Sequence, residues 1–346
     1  MFIQKIYLRH FRNYLEESIT FSPHTNLIWG KNAQGKTSLL EALFLASMGR
    51  SFRTPHLKEL IHEKGSFFFI EIQFEKDGIQ QIVKLSFDGE SKRLEINHST
   101  YSHFSPLLGI LPIVLLTPED VQLITGAPSE RRRFLDLHLA QSDPLYVFHL
   151  TRYHRALKQR NTLLKQGKTD GLLPFEELMK IAATYIQEQR SLLIKTLSPL
   201  LEEGVQALSE NCDHIEIKYH PSMVHDYTKY RARDLHLKST SMGPHRDDFT
   251  LLINQKSAAS FASQGQIRSA VASLRLSQWK ILSDHHQFPA LFCIDDFGVH
   301  LDQARRDALL NHITSQGQIF LTSPFFLDHK DYHALHIEEG KLFPSP

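Results

Sequence analysis

Hydrophobic positions along this chain change period several times, and each change marks an element. Ile6 and Leu8 share one side of a strand that runs into residues 11–14, FRNY. Leu27, Ile28 and Trp29 are a continuous apolar run, and from Lys36 onward Leu39, Leu40, Leu43, Phe44 and Ser47 recur at helical spacing until Gly49 stops them. Thr54-Pro55 closes the following loop. Over residues 66–97 the period drops to two: Ile70, Ile72 and Phe74 alternate with Glu71, Gln73 and Glu75, and Asp77-Gly78 and Asp88-Gly89 supply turns. That stretch reads as a β-meander. Residues 111–116 are a short buried strand stopped by Thr117-Pro118.

Helical spacing then takes over. A helix starts in residues 126–136, GAPSERRRFLD, and a second spans 146–166. A third helical region covers 180–208, where Pro199 is expected to break it. Residues 215–219 and 249–253 read as strands. A helix with Ala270, Val271, Leu274 and Trp279 opens at residue 263. Residues 290–294 form a buried strand, and 319–321 a further one after an intervening helix; the last twenty residues carry no motif. Neither sustained heptads nor an internal repeat is present.

Composition narrows the class without naming it. A chain of 346 residues suggests two lobes, each with its own core, and 41% hydrophobic with 22% charged residues reads as globular. Thirty-nine Lys and Arg offset thirty-eight Asp and Glu, so a nucleic-acid surface has to be a local patch. Cys212 and Cys293 are far apart and are expected to be reduced thiols in a cytosolic chain. No signal peptide and no run of eighteen apolar residues appears, so a membrane location is not expected. The 21 His include Cys212/His214 and His285/His286, but no complete zinc set, so only Mg²⁺ is expected as metal.

Candidate chemistry begins at residues 30–37, GKNAQGKT, which match G-x-x-x-x-G-K-T between a strand and a helix, the context that such a loop needs. Gly30 and Gly35 permit positive φ, so the amides of Lys31, Asn32, Ala33 and Gln34 can turn toward phosphates. Lys36 would reach the β and γ phosphates, the Thr37 hydroxyl would hold Mg²⁺, and Ser38 continues the helix start, whose positive end adds to the anion site. Far downstream, the apolar strand 290–294 ends in Asp295-Asp296. That is a Walker B pattern, one carboxylate for Mg²⁺ and the next to polarise water. Residues 263–268, SQGQIR, place Ser263 and Gly265 at a helix start, either as a second anion nest or as an ordinary cap.

A different surface chemistry lies between these motifs. Arg131, Arg132 and Arg133 are consecutive, and Arg152, Arg155, Lys158, Arg160 and Lys165 follow with no acid between Asp143 and Asp170. A basic helix face is usually mere solvation; the missing acids put phosphate contacts to DNA level with that reading, and both stay open. MGPHRDD, residues 242–248, is too polar for an ordinary turn between strands.

The order P-loop, long insertion, SxGQ helix, apolar-Asp-Asp and Leu-Asp resembles the ABC-type ATPase heads of the structural-maintenance class. The finer strings FRNY, GKNAQGKTSLLEA, SFRTP, TPEDVQLITGAPSERRRFLD, LKQRN, GPHRDD, SQGQ and DDFGVHLD resemble one branch, the RecF family of bacterial recombination and repair ATPases, over residues 2–323. The resemblance implies an α/β fold, an ABC-type P-loop head. Lobe I, a mixed sheet around the P-loop helix, would be residues 1–125 and 286–346, and a largely helical lobe II 126–285. It also implies that Asp295 holds Mg²⁺, that Asp296 is catalytic, and that Ser263, Gly265 and Gln266 touch the γ-phosphate of ATP on a second protomer. Asp302 would sit at the dimer seam, Arg12 and Asn13 would approach the nucleotide, and Asp120 or Gln122 would serve as Q-loop.

The implied activity is a weak ATPase that switches an ATP-dependent homodimer on gapped or junction DNA. The implied partners are RecO and RecR, in loading the recombinase RecA during the SOS response. A P-loop motor subunit of another ABC-type complex is the alternative. Departures from the pattern are Asp296 where transporter heads have Glu, Gly298-Val299-His300 before Leu301-Asp302, Ile267 for a common Gln, and Thr322-Ser323 in place of a switch histidine.

Overall fold

Strands that are apolar without alternation end up covered on both faces, and in the computed structural model such strands build the sheet that carries the P-loop. Residues 1–209, 212–297, 306–307, 309–310, 313, 317–327 and 329–343 are described. β3 (Thr25–Trp29), β8 (Ile113–Leu116), β12 (Leu291–Ile294) and β13 (Ile319–Ser323) run parallel in the order β3, β13, β12, β8. Every residue of β8, β12 and β13 is buried. Register aligns Leu27 with Leu321 and Phe292 with both Ile319 and Val114.

The other side of β3 is taken by β14 (Tyr332–Glu338), parallel to it, and β15 (Lys341–Phe343) closes that edge antiparallel. These two strands come from the stretch that carries no motif. The sequence of β14, YHALHIE, is too polar to announce a strand, and β3 decides it by offering an open edge.

The second sheet is antiparallel, in the order β2 (Tyr14–Thr20), β1 (Phe2–Phe11), β4 (Phe68–Lys76), β5 (Ile79–Phe87), β6 (Lys92–Ile96) and β7 (Ser99–Tyr101). The alternation over residues 66–97 is realised, with Ile70 opposite Leu85 and Ile72 opposite Val83, all buried. α1 (Lys36–Met48) packs between the two sheets, touching β4 and β5 on one side and β8 and β13 on the other. Only Thr37 of its thirteen residues escapes burial, so the one-faced helix read from spacing is a helix covered all round. Together with residues 275–346, residues 1–120 form one compact unit.

Residues 121–274 form the other. It contains α2 (Gln122–Thr125), α3 (Pro128–Ser142), α4 (Pro144–Lys165), α5 (Leu173–Leu208), α6 (Arg231–Leu237), α7 (Ala258–Phe261) and a three-stranded sheet of β9 (Ile215–His220), β10 (Asp248–Ile253) and β11 (Lys256–Ser257). α8 (Gln264–His286) begins in this unit and continues into the first. α4 and α5 are antiparallel, as the pairs Asp143–Tyr185 and Arg160–Glu176 show. Pro199 does not break α5: the helix runs through it, because Leu197, Leu201, Val205 and Leu208 continue one buried stripe on both sides. Tertiary burial here outweighs the lost backbone bond. No helix among the described residues is long and apolar enough to cross a membrane.

GPHRDD is the polar centre of this unit. Asp247, fully buried, accepts from the Gln187 amide (2.8 Å), the Ser222 N–H (2.7 Å), Arg190 (2.9 Å) and the Tyr219 hydroxyl (2.6 Å). A buried carboxylate is tolerable only with such a complement. The polarity of the segment thus serves α5 and β9, to which it ties the loop.

Candidate nucleotide site

The FRNY segment holds the P-loop from below. Phe11 is core, and the Asn13 amide donates to the Gln34 carbonyl (2.9 Å) and the Tyr14 hydroxyl to the Gly35 carbonyl (2.9 Å). Burial pushes the Tyr14 phenol far above its ordinary pKa, so it remains a neutral donor. From the other side Gly340 N–H donates to the Gln34 carbonyl (2.9 Å) and Glu339 N–H to the Gln34 side chain (2.6 Å). Two glycines are obligatory. Gly30 has φ 150° and a Cβ there would lie 2.2 Å from the Ile337 carbonyl oxygen; Gly35 has φ 119° and its Cβ would meet the Asn13 amide at 2.6 Å.

No side chain caps the N-terminus of α1. Its first N–H groups have no carbonyl one turn back, so they are available to an anion. Lys36 donates to the carbonyls of Gly30 (2.7 Å) and Lys31 (2.8 Å). Burial lowers its pKa, against the pull of Asp296 and Asp295. Above the loop lies a cavity of about 670 Å³ lined by Arg12, Asn13, Asn32, Ala33, Gly35, Lys36, Thr37, Ser38 and Asp296, and also by Arg53, Glu59, Ile61, His62 and Glu63. That volume suits a nucleotide.

Thr37 Oγ1 meets both carboxylate oxygens of Asp295 at 3.0 Å. Two hard oxygen ligands from residues 258 positions apart converge, which is the donor set a Mg²⁺ ion takes, so Thr37 and Asp295 could hold one. Burial raises the Asp295 pKa, and the hydroxyls of Thr322 and Thr37 pull it back. Thr322, fully buried, donates to Asp295 Oδ1 (2.6 Å) and accepts the Asp296 N–H (2.8 Å). One hydroxyl therefore holds the Asp295 carboxylate and the Asp296 backbone. Asp296 itself sits at φ 51°, a left-handed conformation that Asp tolerates, and this turns it into the cavity.

Arg12 lines the cavity with its guanidinium held by Glu41, Nε and Nη2 each 2.8 Å from a carboxylate oxygen, and by the Glu59 carbonyl (2.9 Å). Glu41 is fully buried and is also hydrogen-bonded by Ser51. Sequence reasoning missed Glu41 and assigned Thr322 no role. The readable signal for Glu41 was an acid inside an otherwise apolar helical run, which has to have a buried partner. Asp120, one Q-loop candidate, forms a two-pronged pair with Arg275 (3.0 and 2.6 Å).

In the other unit Ser263 and Gln266 form a reciprocal cap at the start of α8. The Gln266 N–H donates to Ser263 Oγ (3.2 Å), and the Ser263 N–H to Gln266 Oε1 (2.9 Å). Gly265 lies between them in the first turn. Asp302 and residues 298–300 lie outside the described residues.

Of the basic residues, Arg152, Arg155 and Lys158 are exposed on α4, with the Arg152 guanidinium 5.2 Å from the Phe148 ring. Arg131 is engaged with both oxygens of Asp248 (2.6 and 3.0 Å), Arg132 donates to the Asp247 carbonyl (2.9 Å), and Arg133 is half-buried. Arg160 does not belong to the basic face. It is fully buried and pairs with Glu176 (3.1 Å) and Asp234 (2.7 Å), because its place on α4 turns it toward α5 and α6.

Comparison with known proteins gives the family. The model of the RecF/RecN/SMC N terminal domain matches residues 2–325. The DNA replication and repair protein RecF of Protochlamydia amoebophila (strain UWE25) is 42% identical, over 100% of this chain and 99% of that one. The protein of the same name from Chlamydia caviae is 41% identical, over 93% and 92%. A solved structure of the recombination mediator protein RecF-ATPrS in RecFOR pathway superposes with TM-score 0.89 at 30% identity, covering 99% of this chain and 97% of that one. A solved Smc head bound to the C-winged helix domain of ScpA has TM-score 0.60 at 15% identity, covering 99% and 96%, which shows the ABC-type head fold alone. With a family model across nearly the whole sequence and relatives matched end to end, this chain belongs to the RecF family.

Proposed function

We propose that this chain is an ATP-switched DNA-binding protein of replication and recombinational repair, working in the cytoplasm. The observation that carries the reading is the convergence of Thr37, Asp295 and Thr322 beneath a P-loop whose amides and Lys36 face a nucleotide-sized cavity. Solved relatives described with ATP and ATPrS support ATP as the ligand.

Lys36 would exchange the Gly30 and Lys31 carbonyls for the β and γ phosphates, while the amides of the loop take the remaining oxygens. Mg²⁺, held by Thr37 and Asp295, would neutralise charge on those phosphates. Asp296 would accept the proton of the attacking water, kept in place by the bond from its own N–H to Thr322. Arg12 and Asn13 orient the nucleotide, Arg12 by virtue of its Glu41 clamp. Ser263, Gly265 and Gln266 complete the site of a second protomer. Their helix start attracts a γ-phosphate and loses its target on hydrolysis, so ATP and ADP differ in the dimer they support. Asp302 belongs to the same seam.

In this reading residues 1–125 and 286–346 are the ATP-binding lobe, and 126–285 the lobe that carries the signature. Arg152, Arg155 and Lys158 contact DNA phosphates at a gap or junction, and hydrolysis is slow, releasing the clamp. RecR and RecO are the partners through which RecA is loaded, and the relatives described within the RecFOR pathway support this.

Complementation tests the reading. Ser263→Arg is expected to bind ATP as a monomer but neither dimerise nor turn over, and Lys36→Ala to lack ATP binding. Mixed, they restore one composite site, read as recovered ATPase and an ATP-dependent dimer in light scattering. A mixture of folded proteins that stays inactive refutes the composite site.

A further inference from the structure

The cap at the start of α8 does not stand alone. Gln266 spends its side-chain oxygen on the Ser263 N–H and has its Nε2 left, and that nitrogen donates to Asp213 Oδ1 at 2.8 Å. Asp213 is 8% exposed, and the same oxygen accepts the Asn254 side-chain amide at 3.0 Å. Asp213 is in turn placed by its own N–H, which donates to Ser209 Oγ at 3.1 Å at the end of α5. Asn254, at φ 50° in the turn between β10 and β11, exchanges backbone and side-chain bonds with His214. A nearly buried carboxylate thus links the end of α5, the β10–β11 turn and the first turn of α8.

The consequence is conformational. A glutamine at an exposed helix start gives up rotamer freedom when it is fixed, among the larger side-chain entropy losses. The Ser263 bond alone is a weak reason to fix it, since a single cap contact offsets only part of that loss. A second bond to a charged, nearly buried acceptor adds more than a neutral partner would. With Gln266 held, Ser263 keeps its capping geometry, and the N–H groups of Gln264 and Gly265, which have no carbonyl one turn back, stay directed out of the helix start.

We propose that Asp213 is a positioning residue for the Ser263-Gly265-Gln266 signature: it holds Gln266 so that the helix start is preformed to receive a phosphate. This rests on the reading above that the signature completes the site of a second protomer. Asp213 touches no nucleotide itself. It acts by removing the ordering cost that dimer closure would otherwise carry.

The test uses the full chain with Asp213→Leu, which is near in shape and removes the acceptor, and Asp213→Asn, which keeps an oxygen for both amides. Hydrogen exchange at the Gln266 and Ile267 amides reads the cap, and light scattering with ATP reads the dimer. In Asp213→Leu protection at both amides is expected to fall, and the dimer dissociation constant to rise about tenfold, the effect of one lost hydrogen bond to a charged group. ATP affinity of the monomer stays unchanged, and Asp213→Asn restores both readouts. Should Asp213→Leu fail to fold, Asp213→Ala removes the same acceptor and leaves every signature residue in place, and the same two readouts apply.

Unchanged protection, or a dimer constant within twofold of the parent alongside a Ser263→Arg control that does not dimerise, overturns the inference and leaves the signature reading intact. Normal dimerisation of Ser263→Arg overturns that reading and the inference with it.

Discussion

Replacing Thr322 by Val tests the way one hydroxyl ties the Asp295 carboxylate to the Asp296 backbone. The exchange keeps the shape of a fully buried side chain and removes two bonds: the donation to Asp295 Oδ1 at 2.6 Å and the acceptance of the Asp296 N–H at 2.8 Å. A hydrogen bond to a charged group is worth about 1.5–3 kcal/mol, and a buried N–H without a partner costs about 1–3 kcal/mol. Asp295 can relieve part of the loss by taking up a proton, which its burial already favours. The expected destabilisation is therefore about 2–4 kcal/mol. For a unit of this size that lowers the melting temperature by roughly 5–15 °C.

Thermal unfolding of the ligand-free protein measures it, and titration of Mg²⁺·ATP measures the function. Affinity is expected to fall as well, because Asp295 loses the bond that keeps it facing Thr37. Thr322→Ser, which keeps the hydroxyl, is expected to restore both. If Thr322→Val melts within about 2 °C of the parent and binds Mg²⁺·ATP equally well, the hydroxyl does not organise the pair.

Three further outcomes concern other residues. Lys36→Ala removes the P-loop ammonium and is expected to abolish ATP binding and turnover, measured with labelled ATP; unchanged affinity would falsify the site. Arg155→Glu with Lys158→Glu, both exposed on α4, is expected to weaken binding to every DNA sequence alike and to lower the slope of log affinity against log salt by about 0.9 per lost phosphate contact, and an unaltered slope would move the DNA surface elsewhere. His245 is held neutral by burial, its pKa pushed down to about 4, with Nδ1 facing the Tyr153 hydroxyl and Nε2 the Thr240 carbonyl. The unfolded chain protonates it near pH 6.5 while the fold does not, so stability rises with pH between about 4 and 6.5 and is level above, by up to roughly 3 kcal/mol; urea midpoints across that range should be flatter in His245→Gln, and an equal slope would refute the assignment.

The strings of this chain proposed to touch phosphate were legible because their chemistry is local. A loop of backbone amides needs glycine at fixed places, and GKNAQGKT supplies Gly30 and Gly35 where φ is positive. Strands such as β8, β12 and β13 announced themselves by being apolar without interruption, and the meander by alternation, since burial on two faces or one leaves those periods in the sequence. The acid-free run after Asp143 showed a basic helix, but its spacing did not say which cation turns inward. Arg160 does, and only the positions of Glu176 and Asp234 on other elements reveal it.

What tertiary structure alone decided are the partnerships between residues far apart in the chain. YHALHIE becomes a strand because β3 has an edge to pair, and α5 passes Pro199 because its buried stripe resumes beyond it. Glu41 clamps Arg12, Thr322 joins Asp295 to Asp296, and Asp247 gathers four donors from α5, β9 and a loop. None of these pairs has a fixed sequence spacing. Each exists because a polar group taken out of water has to find a partner, and folding determines which one is within reach.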